Sequence, residues 1–255
     1  MATIVLCQGF FGRFFDLAAK GVGPLKVSGV RYFHGIKETL EADGHRVLTP
    51  PTHPLAGIER RSGQLAAFLD EHLDDGERCL LVGHSMGGLD CRHLLSHGGG
   101  RAFVDALLTV ATPHRGTSFA DFCLDHLQRQ AGVYGLLGRF GLDVDAARHL
   151  TRDAARRFNA STPDVDGVAY FSVTTSTPVA RMTPALRFSG DVIQRSEGDN
   201  DGLVAASSAA WGEVVADWRL DHMATLDKSL FRNPATPVAI RWREAIDDVL
   251  ARVPA

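Results

Sequence analysis

Apolar residues fall along this chain in short unbroken runs, separated by longer stretches in which they recur every three or four positions. The runs Thr3 to Leu6, Cys79 to Gly83 ("CLLVG"), Ala106 to Pro113 ("ALLTVATP") and Val168 to Thr175 ("VAYFSVTT") show no polar alternation, the mark of strands covered on both faces. "HRVLTP", His45 to Pro50, predicts a further strand stopped by Pro50 and Pro51, and "EVVADWRL", Glu213 to Leu220, predicts another. Between them, Glu59 to Leu73 sets Leu65, Phe68, Leu69 and His72 or Leu73 on one helical face. The C-terminal "VAIRWREAIDDVLARV" groups Ile240, Trp242, Ile246 and Leu250 on another. Strands alternating with helices imply an α/β fold, a mainly parallel sheet flanked by helices, in a single domain over residues 1–255.

One segment breaks the alternation. Ser118 to Thr162 is rich in helix formers yet carries "GVYGLLGRFG", Gly132 to Gly141, where glycine returns at every third position among Val133, Tyr134, Leu136, Leu137 and Phe140. Each interior glycine costs a helix about 1 kcal/mol against alanine, so this apolar stretch is held weakly by its own backbone. It reads as an inserted cap or lid over residues 118–162, or as a surface loop whose apolar residues dock permanently.

Composition narrows the function classes. A formal net charge of −3 provides no basic footprint for nucleic acid, and no stretch is long and apolar enough to span a bilayer. The N-terminus "MATIVLCQGF" lacks the basic leader and cleavage site of a signal peptide, which leaves a cytoplasmic protein or a trimmed secreted form. Cys7, Cys79, Cys91 and Cys123 show no CxxC spacing, so buried reduced thiols are expected rather than a zinc site or a disulfide framework.

The chemistry gathers at "LLVGHSMGGLD", Leu80 to Asp90. A buried strand that ends in GxSxG and enters a helix puts its serine on a sharp, strained turn, where flanking side chains would collide. Gly83 and Gly87 occupy the motif positions and Gly88 extends the clearance. Ser85 is then a nucleophile with the amide of Met86 beside it as an oxyanion donor. Serine needs a base held by an acid. Downstream, "SEGDNDGLV" offers Asp201, with Asp199 as its close rival, and "LDHMA" offers His222, in the α/β-hydrolase order Ser, Asp, His. His114 precedes every good acid, and His93 with His97 lacks the Glu of HExxH. "CQGFFG", Cys7 to Gly12, supplies a second donor from the amide of Phe10. Phe11, His84, Leu136, Leu137 and Phe140 are candidate substrate contacts, although His84, inside the elbow, also suits a place packed beneath it.

These residues resemble the bacterial true lipases, the pseudomonad-type triacylglycerol lipases of the α/β-hydrolase fold. The resemblance rests on "GHSMGGLD" at Gly83, "ATPHRGTSFADF" at Ala111, "NDGLV" at Asn200 and "DH" at Asp221, with "YFHGI" at Tyr32 and "RSGQL" at Arg61. It implies Ser85 as nucleophile, Asp201 as acid, His222 as base, the Phe10 and Met86 amides as oxyanion hole, and the segment after Phe119 as a lid. Three departures stand out. Gln8 precedes Gly9 where the family reads HGxxG; Ala224 stands where family members place a calcium-binding aspartate, two residues beyond the histidine; and no cysteine follows Cys123 to form the disulfide of some relatives. No cofactor is expected, and calcium lacks its usual ligand.

The function these features imply is cleavage of acylglycerols or other hydrophobic esters through an acyl-enzyme, at a lipid–water interface if the cap opens there. The alternatives are polyester, thioester or lactone cleavage or acyl transfer on the same triad, and a noncatalytic binder that keeps the scaffold.

Overall fold

The computed structural model describes residues 1–9, 32–53, 56–129, 148–226 and 237–253. Six parallel strands form one sheet: β1 (Thr3–Cys7), β2 (Arg46–Leu48), β3 (Cys79–His84), β4 (Val104–Val110), β5 (Ala169–Thr175) and β6 (Glu213–Trp218), in the order β2-β1-β3-β4-β5-β6. The helices between them are α1 (Ile36–Ala42), α2 (Ile58–His72), α3 (Met86–His97), α4 (Ser118–Arg129), α5 (Arg152–Ser161), α6 (Arg187–Glu197), α7 (Ala206–Ala209) and α8 (Val238–Arg252).

The unbroken apolar runs follow from the layering. Alternate residues of a strand point to opposite faces. Ile4, Leu6, Leu80, Val82 and Leu108 therefore join Ile36 and Leu40 of α1 and Trp242, Ile246 and Val249 of α8 on one side. Val5, Cys7, Leu81 and Leu107 meet Leu65 and Leu69 of α2 and Cys91, Leu94 and Leu95 of α3 on the other. The four cysteines are free and buried. Burial pushes the Cys79 and Cys91 thiols far up and that of Cys123 up to about 12.

Two helical faces differ from expectation. The buried face of α8 is Val238, Trp242, Ala245, Ile246 and Val249, with Ile240 and Leu250 only partly covered. Trp242, Ile246 and Val249 are fully buried with Ala245 beside them, and Ile240 and Leu250 fall to the margins of that face. On α2 the buried stripe is Ile58, Arg61, Ser62, Leu65 and Leu69, so a charged side chain occupies a core position.

The two described ends of the Ser118 to Thr162 segment are helices fixed to the body. Helix α4 packs on α6 around Phe119, Cys123 and Ile193, and Phe158 of α5 packs with Ile58, Met86 and Leu89. The Gly132 to Gly141 stretch, with Leu136, Leu137 and Phe140, lies outside the described residues.

Candidate active site

The chain passes from β3 to α3 through Ser85, whose φ of 54° and ψ of −133° put a non-glycine residue in a strained conformation. Such a residue costs about 1–3 kcal/mol and persists only where its surroundings fix it. Here the Ser85 amide donates to the Val110 carbonyl at 2.9 Å, and Thr112 Oγ1 donates to the Ser85 carbonyl at 2.8 Å.

The glycines of the motif are there for close approach. A Cβ on Gly83 would stand 2.5 Å from Gly88 Cα, one on Gly87 would stand 2.3 Å from the Cys7 carbonyl oxygen, and one on Gly88 would stand 2.3 Å from Thr112 Oγ1. A side chain at any of these positions would lift α3 off β1 and β4. Gly9 is equally constrained, since its Cβ would lie 2.8 Å from Ser85 Cβ and 2.9 Å from the Tyr32 hydroxyl.

Asp201 and His222 meet the serine in one line. Asp201 Oδ2 accepts from His222 Nδ1 at 2.8 Å, and His222 Nε2 lies 3.1 Å from Ser85 Oγ. Thr175 Oγ1, at the end of β5, donates to the same Asp201 oxygen at 2.7 Å, while Oδ1 accepts from the amides of Leu203 and Val204. Four donors thus hold a fully buried carboxylate, which water no longer solvates. Asp199, the rival acid, is exposed. His114 is buried, with Nε2 3.0 Å from Thr109 Oγ1 and its ring stacked against Trp211.

His84 is not a substrate contact. Its side chain is buried beneath the elbow, with Nδ1 2.6 Å from the Tyr32 hydroxyl and Nε2 2.8 Å from Thr225 Oγ1. The reason is geometric: Ser85 turns outward at the end of the strand, so the residue before it points into the core. Phe10 and Phe11 lie outside the described residues, but the backbone that leads to them is fixed. The Gln8 carbonyl accepts from Arg61 Nη2 at 2.6 Å, and the Gly9 amide donates to the Tyr32 hydroxyl at 3.0 Å. Gln8 reaches the Thr52 carbonyl with Nε2 at 3.4 Å. Arg61 is held in turn by Asp90 of α3, Nε to Oδ2 at 2.8 Å. Burial pushes the Asp90 carboxyl up to about 6 against the pull of Arg61, and burial likewise pushes the Tyr32 phenol up, keeping its proton in place. Met86, the first residue of α3, carries an amide with no acceptor inside the helix.

The residues around Ala224 suit protein donors better than a calcium ion. Ala224 is buried and offers no side-chain oxygen. The nearby acid, Asp221, accepts from the Thr183 amide and hydroxyl at 2.8 and 2.9 Å with Oδ2, and from the Ala224 amide at 2.9 Å with Oδ1. Among the described residues no cluster of three or more His, Cys, Asp or Glu side chains could hold a metal.

Sequence reasoning assigned no role to Arg61, Tyr32, Asp90, Thr175, Asp221 or Thr225. The one readable signal was a charged residue, Arg61, at a core position of a helical stripe shared with Ile58, Ser62, Leu65 and Leu69.

Parallel strands, a strained serine at a strand-to-helix turn and an acid and histidine from later strand ends define an α/β-hydrolase. No family model matches the chain. It is 30% identical over 207 residues to triacylglycerol lipase 2 of Saccharomyces cerevisiae, covering 78% of this chain and 63% of that protein, so it spans less than two thirds of that relative. It is 28% identical over 258 residues to the triacylglycerol lipase of Vibrio cholerae, covering 86% and 78%. Among solved structures, a metagenomic carboxyl esterase superposes with a TM-score of 0.74 at 21% identity, covering 97% of this chain and 76% of that one. The Staphylococcus hyicus lipase superposes with a TM-score of 0.73 at 18% identity, covering 98% and 95%. The chain has the α/β-hydrolase fold and is similar in sequence to proteins named triacylglycerol lipase.

Proposed function

We propose that this protein is a serine-dependent carboxylic-ester hydrolase that acts on hydrophobic esters such as acylglycerols through an acyl-enzyme on Ser85. The observation that carries the reading is the unbroken Asp201–His222–Ser85 line at a strained elbow. His222 Nε2 takes the Ser85 proton as Oγ attacks the ester carbonyl, and Asp201 holds the imidazole by Nδ1–H and stabilises the cation that forms. The Met86 amide, and that of Phe10 by resemblance, face the developing oxyanion. His222 then protonates the leaving alcohol and activates the water that releases the acid.

The substrate class is supported by the relatives, which are named triacylglycerol lipases, and by fold neighbours described as lipases and a carboxyl esterase. Among the described residues no helix is long and apolar enough to cross a membrane. Every step is carried by protein groups, and Asp221 holds the histidine loop through the Thr183 and Ala224 donors. Docking at a lipid–water interface through the cap belongs to the same proposal.

The test is turnover of p-nitrophenyl esters from acetyl to palmitoyl, with and without EDTA, beside Ser85→Ala. Removal of the nucleophile should lower kcat by about 10³-fold or more. Turnover should favour medium or long chains and ignore the chelator. A folded Ser85→Ala protein that keeps its rate overturns the reading.

A further inference from the structure

Beneath the elbow runs a buried chain of hydrogen bonds that the acyl-transfer chemistry does not itself require. The Gly9 amide donates to Tyr32 Oη at 3.0 Å, Tyr32 Oη lies 2.6 Å from His84 Nδ1, His84 Nε2 lies 2.8 Å from Thr225 Oγ1, and Thr225 Oγ1 donates to the His222 carbonyl at 2.6 Å. We infer that Tyr32, His84 and Thr225 are positioning residues that lock the oxyanion loop at Gly9 to the main chain of His222, with His84 held as the neutral Nε2–H tautomer. The inference rests on the assignment of Ser85, His222 and Asp201 to acyl transfer.

Donor counting fixes every proton in the chain. A carbonyl only accepts, so the single Thr225 hydroxyl proton goes to His222, and His84 Nε2 must donate to Thr225. The Gly9 amide only donates, so it fills an acceptor site on the Tyr32 oxygen and leaves the phenol proton for His84 Nδ1. Along this line Tyr32, His84 and Thr225 each accept from one neighbour and donate to the next.

The tautomer has an electrostatic consequence. The His84 and His222 rings are 5.0 Å apart, and His222 becomes a cation during acylation. A proton on both nitrogens of His84 would place a second positive charge beside it in a dry site. Filling Nδ1 with the Tyr32 proton removes the vacancy that such a proton would take. The brace is itself anchored, because Trp242 Nε1 of α8 donates to the Thr225 carbonyl at 2.8 Å and Gly9 has no side chain to keep the Tyr32 hydroxyl away. The two halves of the site, the loop that meets the oxyanion and the histidine that moves the proton, are thereby set against one common rod.

The test uses Tyr32→Phe, which removes one atom, and Thr225→Val, which replaces a hydroxyl by a methyl of similar size, with Thr225→Ser as the conservative variant. Active sites are counted by titration with a chromogenic phosphonate, and steady-state constants are measured on p-nitrophenyl butyrate. Misplacing reacting groups by a fraction of an ångström costs of the order of tenfold or more. Tyr32→Phe and Thr225→Val should therefore each lose about tenfold or more in kcat per titrated site, with KM within about threefold of the parent. An alkyl boronic acid, which forms a tetrahedral adduct on the serine, should bind more weakly by a similar factor, and Thr225→Ser should recover most of the loss. If both variants keep kcat per titrated site within about twofold of the parent, whatever they lose in Tm, the three residues are structural only and the inference fails. A rise in KM at constant kcat fails it too. A parent chain that neither labels nor turns over refutes the acyl-transfer assignment, a result distinct from the other two.

Discussion

Two buried arginines, Arg61 of α2 and Arg92 of the elbow helix α3, are accommodated in opposite ways. Arg61 meets a carboxylate: Asp90 Oδ2 lies 2.7–2.8 Å from its Nη2 and Nε, Nη1 donates to the His53 carbonyl, and Nη2 also donates to the Gln8 carbonyl. Arg92, two residues beyond Asp90, has Asp164 no nearer than 3.9 Å. It bonds instead to Asn159 Oδ1 at 2.7 Å and the Thr162 carbonyl at 3.0 Å, and its guanidinium lies 3.6 Å from the centre of the Trp211 ring. Its Nε has no hydrogen-bond partner among the described residues, and burial lowers its pKa to about 10. The cation beside the oxyanion loop is fixed by directional charge-assisted bonds. The one at the C-terminal end of α5 rests on an aromatic face and neutral acceptors, which set distance more than angle. Rigidity is concentrated where reacting atoms must be placed.

The sharpest way to break the comparison is Arg61→Met. It strands a buried carboxylate and should cost about 3–5 kcal/mol in chemical denaturation. The paired change Arg61→Met with Asp90→Leu should recover much of that stability without recovering kcat, because the Gln8 carbonyl still lacks its donor. Full recovery of both would show that Arg61 only fills space.

On the other side, Arg92→Leu should cost less, about 1–3 kcal/mol, and Trp211→Leu up to about 2, with kcat on short esters within about threefold. A Trp211→Leu protein as stable as the parent would remove the ring from the account of how Arg92 is tolerated.

The smallest effect lies at the other edge of the sheet. Burial pushes the Glu77 carboxyl up, but bonds from Arg46, Thr3 and the Asp74 amide pull it further down, to about 2 from its ordinary 4.5. A lowered folded-state value means the stabilisation is complete above 4.5 and is lost as pH falls toward 2. Glu77→Gln should lower Tm modestly at neutral pH and flatten its fall across that window, so that variant and parent converge near pH 2. A parallel offset at every pH would assign the effect to packing.

Most of the sheet was legible because both of its faces are covered, so strands such as Cys79–His84 appear as apolar runs with no gaps. The elbow was legible for a related reason. Three helix and strand backbones touch there, and only glycine allows it, which leaves a visible mark in "GHSMGG". The preference for Asp201 over Asp199 was not readable from the turn itself, since both suit it; burial and the Thr175 hydroxyl separate them. The roles of Tyr32 and Arg61 were not readable because each serves a backbone atom far along the chain, the Gly9 amide and the Gln8 carbonyl, and such a pairing leaves no local pattern. On α8 the periodicity placed Trp242 and Ile246 on the buried face, where they lie, while Ile240 and Leu250 fall at its margin and are only partly covered.

The four buried thiols carry a practical consequence. Cys7, Cys79 and Cys91 share one layer between the sheet and the elbow helix, and Cys123 of α4 packs against α6. Burial keeps the Cys79, Cys91 and Cys123 thiols protonated, and the thiolate is the reactive form. Alkylating reagents and mild oxidants therefore meet little reactive sulfur until the core opens, so their rate of uptake is a clock for opening of the fold and can be read without reference to the ester-cleaving site.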